Sequence, residues 1–156
     1  MTASLFRLVV DTNVLLAGLA SESSASQRIV DALTERRAIP LLSQAVLSEY
    51  RAVLMHADVT ARFANLAGSR VAMALHKLRY VADVYAPRTK FDFARDPRDA
   101  KFIELAIAGW ATHILTMDAD LLSLVTGRTE AARRFRQRLP DIKVVRPGEL
   151  IEALRI

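Results

Sequence analysis

The chain reads as an α/β protein built around a parallel sheet, and three observations carry that reading. Strand-like and helix-like segments alternate from end to end, the pattern of successive βαβ units. The run Leu8-Val9-Val10 is too apolar for a strand that faces water. It ends in Asp11, which places a carboxylate at the carboxyl edge of a strand, where open α/β sheets bind their ligands.

Residues 6–10 form the first expected strand, and an apolar helix begins near Asn13. Residues 21–26 are a polar loop, followed by a helix to about Arg37. Residues 39–42 make a short second strand, and Ser43 is placed to cap the helix that carries Glu49. Between Thr60 and about Val81, the residues Phe63, Leu66, Val71, Leu75 and Leu78 fall at helical spacing, with Gly68 able to divide the stretch. Residues 82–85, 113–116 and 142–145 supply the third, fourth and fifth strands, and Pro147 opens a closing helix. With no repeat or linker in between, the expectation is a single domain over residues 1–156.

The hydrophobic share of 52% and the scarcity of Gly and Pro fit a helix-rich globule and exclude disorder. Cysteine is absent, so disulfides and thiolate ligands are excluded, and a metal would be held by oxygen or imidazole. Residues 1–7 lack a secretory pattern, and no uncharged apolar stretch reaches the ~18 residues of a membrane span, so the expected location is cytoplasmic. The net charge of +5, from 22 basic and 17 acidic residues, favours a polyanionic partner. Arginine dominates, and its planar fork suits phosphate. Arg128, Arg133, Arg134, Arg136 and Arg138 crowd one late helix, while Arg88, Lys90, Arg95, Arg98 and Lys101 flank an acidic motif. A solvated helix face accounts for the late cluster equally well.

Four acids recur at or near the starts of expected helices: Asp11, Glu49, Asp99 and Asp118. Each has a structural alternative. Asp11 could cap the first helix, with Asn13 available to hold its carboxylate instead. Glu49 lies about 60° from the centre of the stripe formed by Val46, Tyr50, Val53 and Ala57, and so must be paired, neutral or metal-bound. No basic residue stands at positions 45, 46, 52 or 53 to pair with it along its helix. Asp99 suits the positive end of a helix that Asp96 caps and Pro97 opens, yet it shares a face with the apolar Phe102, Ile103 and Ala106. In the Asp118/Asp120 pair one acid is expected to cap; the strand-to-loop position favours Asp118 as ligand and Asp120 as helper. Thr116, at the strand end, could offer its hydroxyl to a metal-bound water or a phosphate. Four carboxylates meeting in one cleft would repel one another without a cation between them, so a divalent-metal site is the economical reading.

The segments Val10-Asp11-Thr12-Asn13-Val14-Leu15, Ser48-Glu49, Asp96-Pro97-Arg98-Asp99-Ala100-Lys101-Phe102 and Leu115-Thr116-Met117-Asp118-Ala119-Asp120 resemble, in order and spacing, the PIN-domain ribonucleases. Within them they are most similar to the toxins of toxin–antitoxin systems related to the VapC type. The resemblance implies a three-layer α/β/α fold with a central parallel five-stranded sheet. It implies that Asp11, Glu49, Asp99 and Asp118 are catalytic acids that bind Mg²⁺ or Mn²⁺, supported by Thr12, Asn13, Thr116, Asp96 and Asp120. It further implies an RNA substrate, a cognate antitoxin that occludes the cleft and a homodimer.

The expected chemistry is hydrolysis of RNA phosphodiester bonds, with Arg95, Arg98 and Lys101 best placed to hold the backbone of the substrate. His56, His76 and His113 lie outside the acidic motifs and read as structural, and Trp110, which ends the Asp99 helix, reads as core rather than as a stacking platform. Glu104, about 140° from Asp99 by helical phase, reads as a surface residue. A haloacid-dehalogenase-like phosphatase would want an Asp where Asn13 stands, and a receiver domain would place its acceptor after the third strand. The remaining alternative is a catalytically silent module on the same fold that binds RNA or a partner.

Overall fold

A computed structural model of the chain describes residues 6–21 and 24–155. Most of the segment read for a secretory pattern, and the middle of the 21–26 loop, lie outside them. The first strand, β1 (Arg7–Val10), leads into α1 (Thr12–Ala20) and α2 (Ala25–Thr34). Ser24 caps α2 by accepting the Gln27 N–H at 3.0 Å, and the helix closes three residues earlier than the expected Arg37. Next come β2 (Ile39–Leu42) and α3 (Gln44–Leu54). The expected cap forms here, with the Ser43 hydroxyl accepting the Val46 N–H at 3.2 Å.

The periodic stretch from 60 to 81 is divided into α4 (Ala57–Arg62) and α5 (Gly68–Val81), with Gly68 as the first residue of the second helix. The chain continues through β3 (Asp83–Val84), a 3-10 turn over Pro97–Asp99, α6 (Ala100–Gly109) and β4 (His113–Leu115). It ends with α7 (Ala119–Leu122), α8 (Glu130–Arg138), β5 (Lys143–Val145) and α9 (Pro147–Leu154). Pro147 takes the first position of α9, where its missing N–H has no helical acceptor to lose.

The five strands form one sheet in the order β3-β2-β1-β4-β5, and every pairing is parallel. This is the expected three-layer α/β/α arrangement. Helix α6 crosses β1, β2 and β4 on one face, while α2 and α5 pack together with α1 and α9 around the other. The central strand shows why an unbroken apolar run was needed: Leu8 and Val9 are wholly buried and Val10 nearly so. Leu8 pairs with His113 and Val10 with Leu115, so β1 and β4 end level with one another.

That level pair of strand ends is where the strand order reverses direction. From β1 the chain builds outward to β3, then crosses back to add β4 on the other side of β1. The two connections leave the sheet on opposite faces at this point, which opens a crevice at the carboxyl edge. Asp11 follows one of these strands, and Asp118 follows the other.

The amino edge of the sheet is closed by Arg7. Its guanidinium donates to the Gly109 carbonyl at 3.0 and 2.9 Å, to Asp83 Oδ2 at 2.9 Å and to the Tyr85 hydroxyl. It thereby ties β1, β3 and the end of α6 together. Gly109 leaves room for this packing: a Cβ would stand 2.7 Å from Leu41 Cδ1 and 3.0 Å from the Tyr85 ring, so both side chains would have to shift.

Trp110, expected in the core, is instead 73% exposed. It ends α6 in the left-handed conformation (φ 51°, ψ 56°), which turns its side chain out of the helical phase that would have buried it. Glu104 departs from the expected free surface residue in the other sense: it is half-buried and accepts the Phe91 N–H at 2.9 Å. Among the described residues no helix is long and apolar enough to cross a membrane.

Candidate active site

The crevice holds a hollow of about 220 Å³ lined by Asp11, Glu49, Asp96, Asp99 and Asp118, together with Thr12, Asn13 and Arg98. The four acids expected from sequence therefore line one space, and a fifth joins them.

Asp11 is built by the sheet. Its N–H extends the β1–β4 ladder to the Leu115 carbonyl at 2.8 Å, and its own carbonyl accepts the Val14 N–H at 3.0 Å to start α1. Its side chain does not cap that helix. Asn13 does not hold the carboxylate either: it is exposed and makes no hydrogen bond to it among the described residues. The hydroxyl of Thr116 does so, donating to Asp11 Oδ2 at 2.7 Å. The same hydroxyl accepts the Asp118 N–H at 3.0 Å. Thr116 is wholly buried, so the expectation that it faces a metal-bound water or a phosphate is corrected: its proton is committed to Asp11. Tyr50, also buried, donates to the Val10 carbonyl directly beneath.

Glu49 projects from α3 and is held at both oxygens. The buried Thr12 hydroxyl donates to Oε2, and Lys101 Nζ lies 2.5 Å from Oε1. No partner was available along its own helix; the one found comes from 52 residues further on. Lys101, expected among the substrate contacts, is thus engaged with an acid of the hollow.

Asp96 caps the Pro97–Asp99 turn, accepting the Arg98 N–H at 3.1 Å and facing Arg98 Nε at 3.4 Å. Asp99 stands at the junction of this turn with α6 and leaves its carboxylate free of any capping bond. In the Asp118/Asp120 pair, the cap is Asp118, whose Oδ1 accepts the Asp120 N–H at 2.9 Å. Asp120 turns to Arg95 at 3.2 Å instead of supporting the acids.

Asp96, Asp99 and Asp118 each present an oxygen such that all three lie within 4.8 Å of one another. Asp11 and Glu49 line the same hollow outside this closest grouping. Sequence reasoning had Asp96 as a cap with only a supporting role. Its spacing was the available signal: two acids three residues apart, across a turn opened by proline, bring their carboxylates to one side.

The electrostatics follow from crowding. The Asp99 carboxyl is pushed up to about 7, first by burial, then by the nearby Asp11 charge, by a hydrogen bond to Asp118 and by the charges of Asp96 and Asp118. Asp11 is also raised, mainly by burial, with Glu49 and Asp118 adding repulsion against the bonds from Thr116 and Thr12. Without a positive charge inside, one acid of this group keeps its proton near neutral pH. The donor set is all hard carboxylate oxygen, the chemistry that Mg²⁺ and Mn²⁺ prefer, so the residues fit a divalent cation.

A parallel α/β sheet with clustered carboxylates at its switch point defines a class of protein: an open-sheet domain with an acidic, cation-attracting site. The comparisons narrow it. The PIN-domain profile matches residues 7–120, and the chain belongs to the PIN-domain family, whose members are typically nucleases that use divalent metals. The uncharacterized protein MJ1680 of Methanocaldococcus jannaschii is 27% identical over 146 residues, which cover 94% of this chain and 90% of that protein. No solved structure matches the chain.

Proposed function

We propose that the protein is a metal-dependent endoribonuclease that hydrolyses RNA phosphodiester bonds. The observation that carries this reading is the convergence of five carboxylates on one hollow at the switch point, three of them within 4.8 Å. Membership of a family of nucleases supports it.

In this reading Asp99 and Asp118 hold Mg²⁺ or Mn²⁺, with Asp96 beside them and Asp11 and Glu49 completing the negative wall. When bound, the cation supplies Lewis acidity and a water of lowered pKa. The protein's own contribution is rigidity and charge placement. Thr116 fixes Asp11 against the Asp118 backbone, and Thr12 with Lys101 fixes Glu49, so the acids need not reorganise when substrate arrives. Arg98, 86% exposed and lining the hollow, and Arg95, held by Asp120, contact the phosphate backbone of the substrate. No histidine lines the hollow.

The test is cleavage of single-stranded RNA in Mg²⁺ or Mn²⁺. Activity should vanish in EDTA and in Asp11→Asn, with the fold intact by circular dichroism. Binding of RNA without cleavage under any divalent metal would refute the enzyme and leave a silent binding module.

The toxin role extends this reading through the resemblance of the motifs. It expects a small antitoxin that places an apolar helix over the cleft and a basic side chain among the acids, and it expects a homodimer. Co-expression with the neighbouring small gene should abolish cleavage, and light scattering should report twice the chain mass.

A further inference from the structure

The face of α6 that leads away from the acids carries a groove that the hydrolysis reading does not use. It starts at Lys101, whose ammonium borders the acidic hollow through Glu49 and whose stem lines a cavity of about 410 Å³ with Lys90 and Glu104. A second cavity of about 390 Å³ adjoins it, sharing Tyr85, Ala86 and Glu104 in its lining and bounded by Arg88, Arg138 and Trp110. Hollow and groove together run the length of α6, about 16 Å at 1.5 Å per residue from Asp99 to Trp110.

Two features of the groove call for a ligand. The first is charge. The two basic clusters, far apart in sequence, meet here, because Arg138 of α8 donates to Thr89 Oγ1 at 3.3 Å and Arg134 donates to the Asp92 carbonyl at 3.3 Å. Arg88, Lys90 and Arg138 are exposed and have no carboxylate partner among the described residues, whereas Arg7, Arg95, Arg98 and Lys101 each pair with an acid. The one acid lining this stretch, Glu104, is bonded to the Phe91 N–H.

The second feature is Trp110. A left-handed helix end is the place of glycine or asparagine, and an L side chain there is strained. A tryptophan normally offsets such a cost by burial, but this one is 73% exposed. A strained position that leaves a large aromatic face in water is an outlier that packing does not explain. A flat ring beside unpaired arginines matches the alternating stacking and phosphate contacts by which proteins hold single-stranded nucleic acid.

We propose that this groove binds the single-stranded RNA that flanks the scissile bond, with Trp110 as the stacking platform for a base and Arg88, Lys90 and Arg138 as phosphate contacts. The proposal rests on the ribonuclease reading for the identity of the polymer. At the ~3.4 Å rise of a stacked strand, roughly five nucleotides span the distance from the acids to the indole. The substrate class is then unpaired RNA of at least that length, because a duplex cannot lay a base flat on the ring.

Trp110 is the only tryptophan of the chain, so its fluorescence reports the site directly. Titration of the full chain, in EDTA to prevent cleavage, with a single-stranded RNA decamer should quench the indole saturably. A trimer or a duplex of the same sequence should quench far less, and added salt should weaken the effect. Trp110→Gly relieves the left-handed strain, so it should fold at least as well. It should nevertheless weaken decamer binding, read by anisotropy of an end-labelled strand, by roughly tenfold. Arg88→Ala with Arg138→Ala should also weaken binding and reduce its salt dependence.

Because EDTA silences hydrolysis, quenching survives even if the protein proves not to cut RNA, and cleavage without quenching isolates failure of the groove alone. Decamer binding that leaves the indole unchanged would overturn the proposal. So would a fluorescence shift that follows protein concentration and not RNA, which would mark the face as a contact between copies of the chain.

Discussion

Lys101 and Glu49 form an ion pair at 2.5 Å that joins α6 to α3 across the mouth of the acidic hollow. Both side chains are about one-quarter exposed, so the pair is neither screened like a surface bridge nor fully desolvated. Its consequence is a division of labour. One acid of the wall already has a fixed cation, and the repulsion that remains falls on Asp11, Asp99 and Asp118.

Removing the fixed cation should therefore trade stability for metal affinity. Lys101→Met leaves Glu49 with only the Thr12 hydroxyl among neighbouring carboxylates, and should cost about 1–3 kcal/mol in EDTA. The wall gains one net negative charge, so Mn²⁺ should bind several-fold more tightly, equivalent to about 1 kcal/mol. Thermal melts with and without Mn²⁺, together with calorimetric titration, measure both; equal or weaker Mn²⁺ binding in the variant would contradict this account.

Thr116 offers a test of what holds Asp11. Its hydroxyl donates to Asp11 and accepts from Asp118, so Thr116→Val keeps the shape and orphans both groups. The expected cost is about 1–3 kcal/mol of stability. RNA cleavage should fall at least tenfold through a lower kcat, while Thr116→Ser, which keeps the hydroxyl, should stay within a few-fold of wild type. Chemical denaturation and steady-state kinetics on the two variants separate the hydroxyl from the methyl group.

What the sequence revealed and what it hid follow from the range of the forces involved. The strands were legible because Leu8-Val9-Val10 has to be buried on both faces, and the caps Ser43 and Asp96 because a cap is a contact between near neighbours. Asp11, Asp99 and Asp118 were legible because each stands at a strand or helix end, and Glu49 because it lies beside the apolar stripe of α3 with no basic residue near it on that helix. The partner of Glu49 was not, since Lys101 reaches it only after the chain has crossed the sheet. Asp118 was rightly favoured over Asp120 for the hollow from its place after the strand, but the helper role given to Asp120 was not legible as wrong, because its partner Arg95 lies 25 residues away in sequence. Trp110 was misplaced for a local reason: a large aromatic at the end of an apolar helix reads as core, and the left-handed conformation of that one residue leaves its side chain in water.

Two glycines should respond with opposite signs to the same substitution. A Cβ on Gly18 would stand 2.6 Å from Val30 Cγ2 and 2.7 Å from the Ser26 carbonyl oxygen, where α1 meets α2. The carbonyl belongs to a packed helix and cannot step aside, so Gly18→Ala should cost about 1–3 kcal/mol despite the better helix propensity of alanine. Gly68 opens α5 with nothing within 4 Å of its would-be Cβ, so Gly68→Ala should stabilise the protein by about 0.4–1 kcal/mol. Urea denaturation of the two variants reads the sign of each.

The crowded acids should make the metal-free protein sensitive to pH in an unusual direction. Asp99 titrates near 7 in the fold, against an ordinary carboxylate value of 3.8 in the unfolded chain. A group whose pKa is raised by folding binds its proton more tightly in the native state. Its stabilising effect is complete below pH 4 and is lost as the pH rises from about 4 through 7, where the carboxyl must ionise beside Asp11 and Asp118. In EDTA, wild type should therefore lose stability relative to Asp99→Asn across that window, because the amide cannot ionise. His113, whose pKa burial lowers, contributes equally to both proteins and drops out of the difference. Saturating Mn²⁺ should erase the loss in wild type, since a bound cation replaces the proton as the counter-charge. A melting temperature difference between the two proteins that stays flat from pH 4.5 to 7.5 in EDTA would show that the acids are too well solvated to interact, and the hollow would then lack the field that a divalent ion is held by.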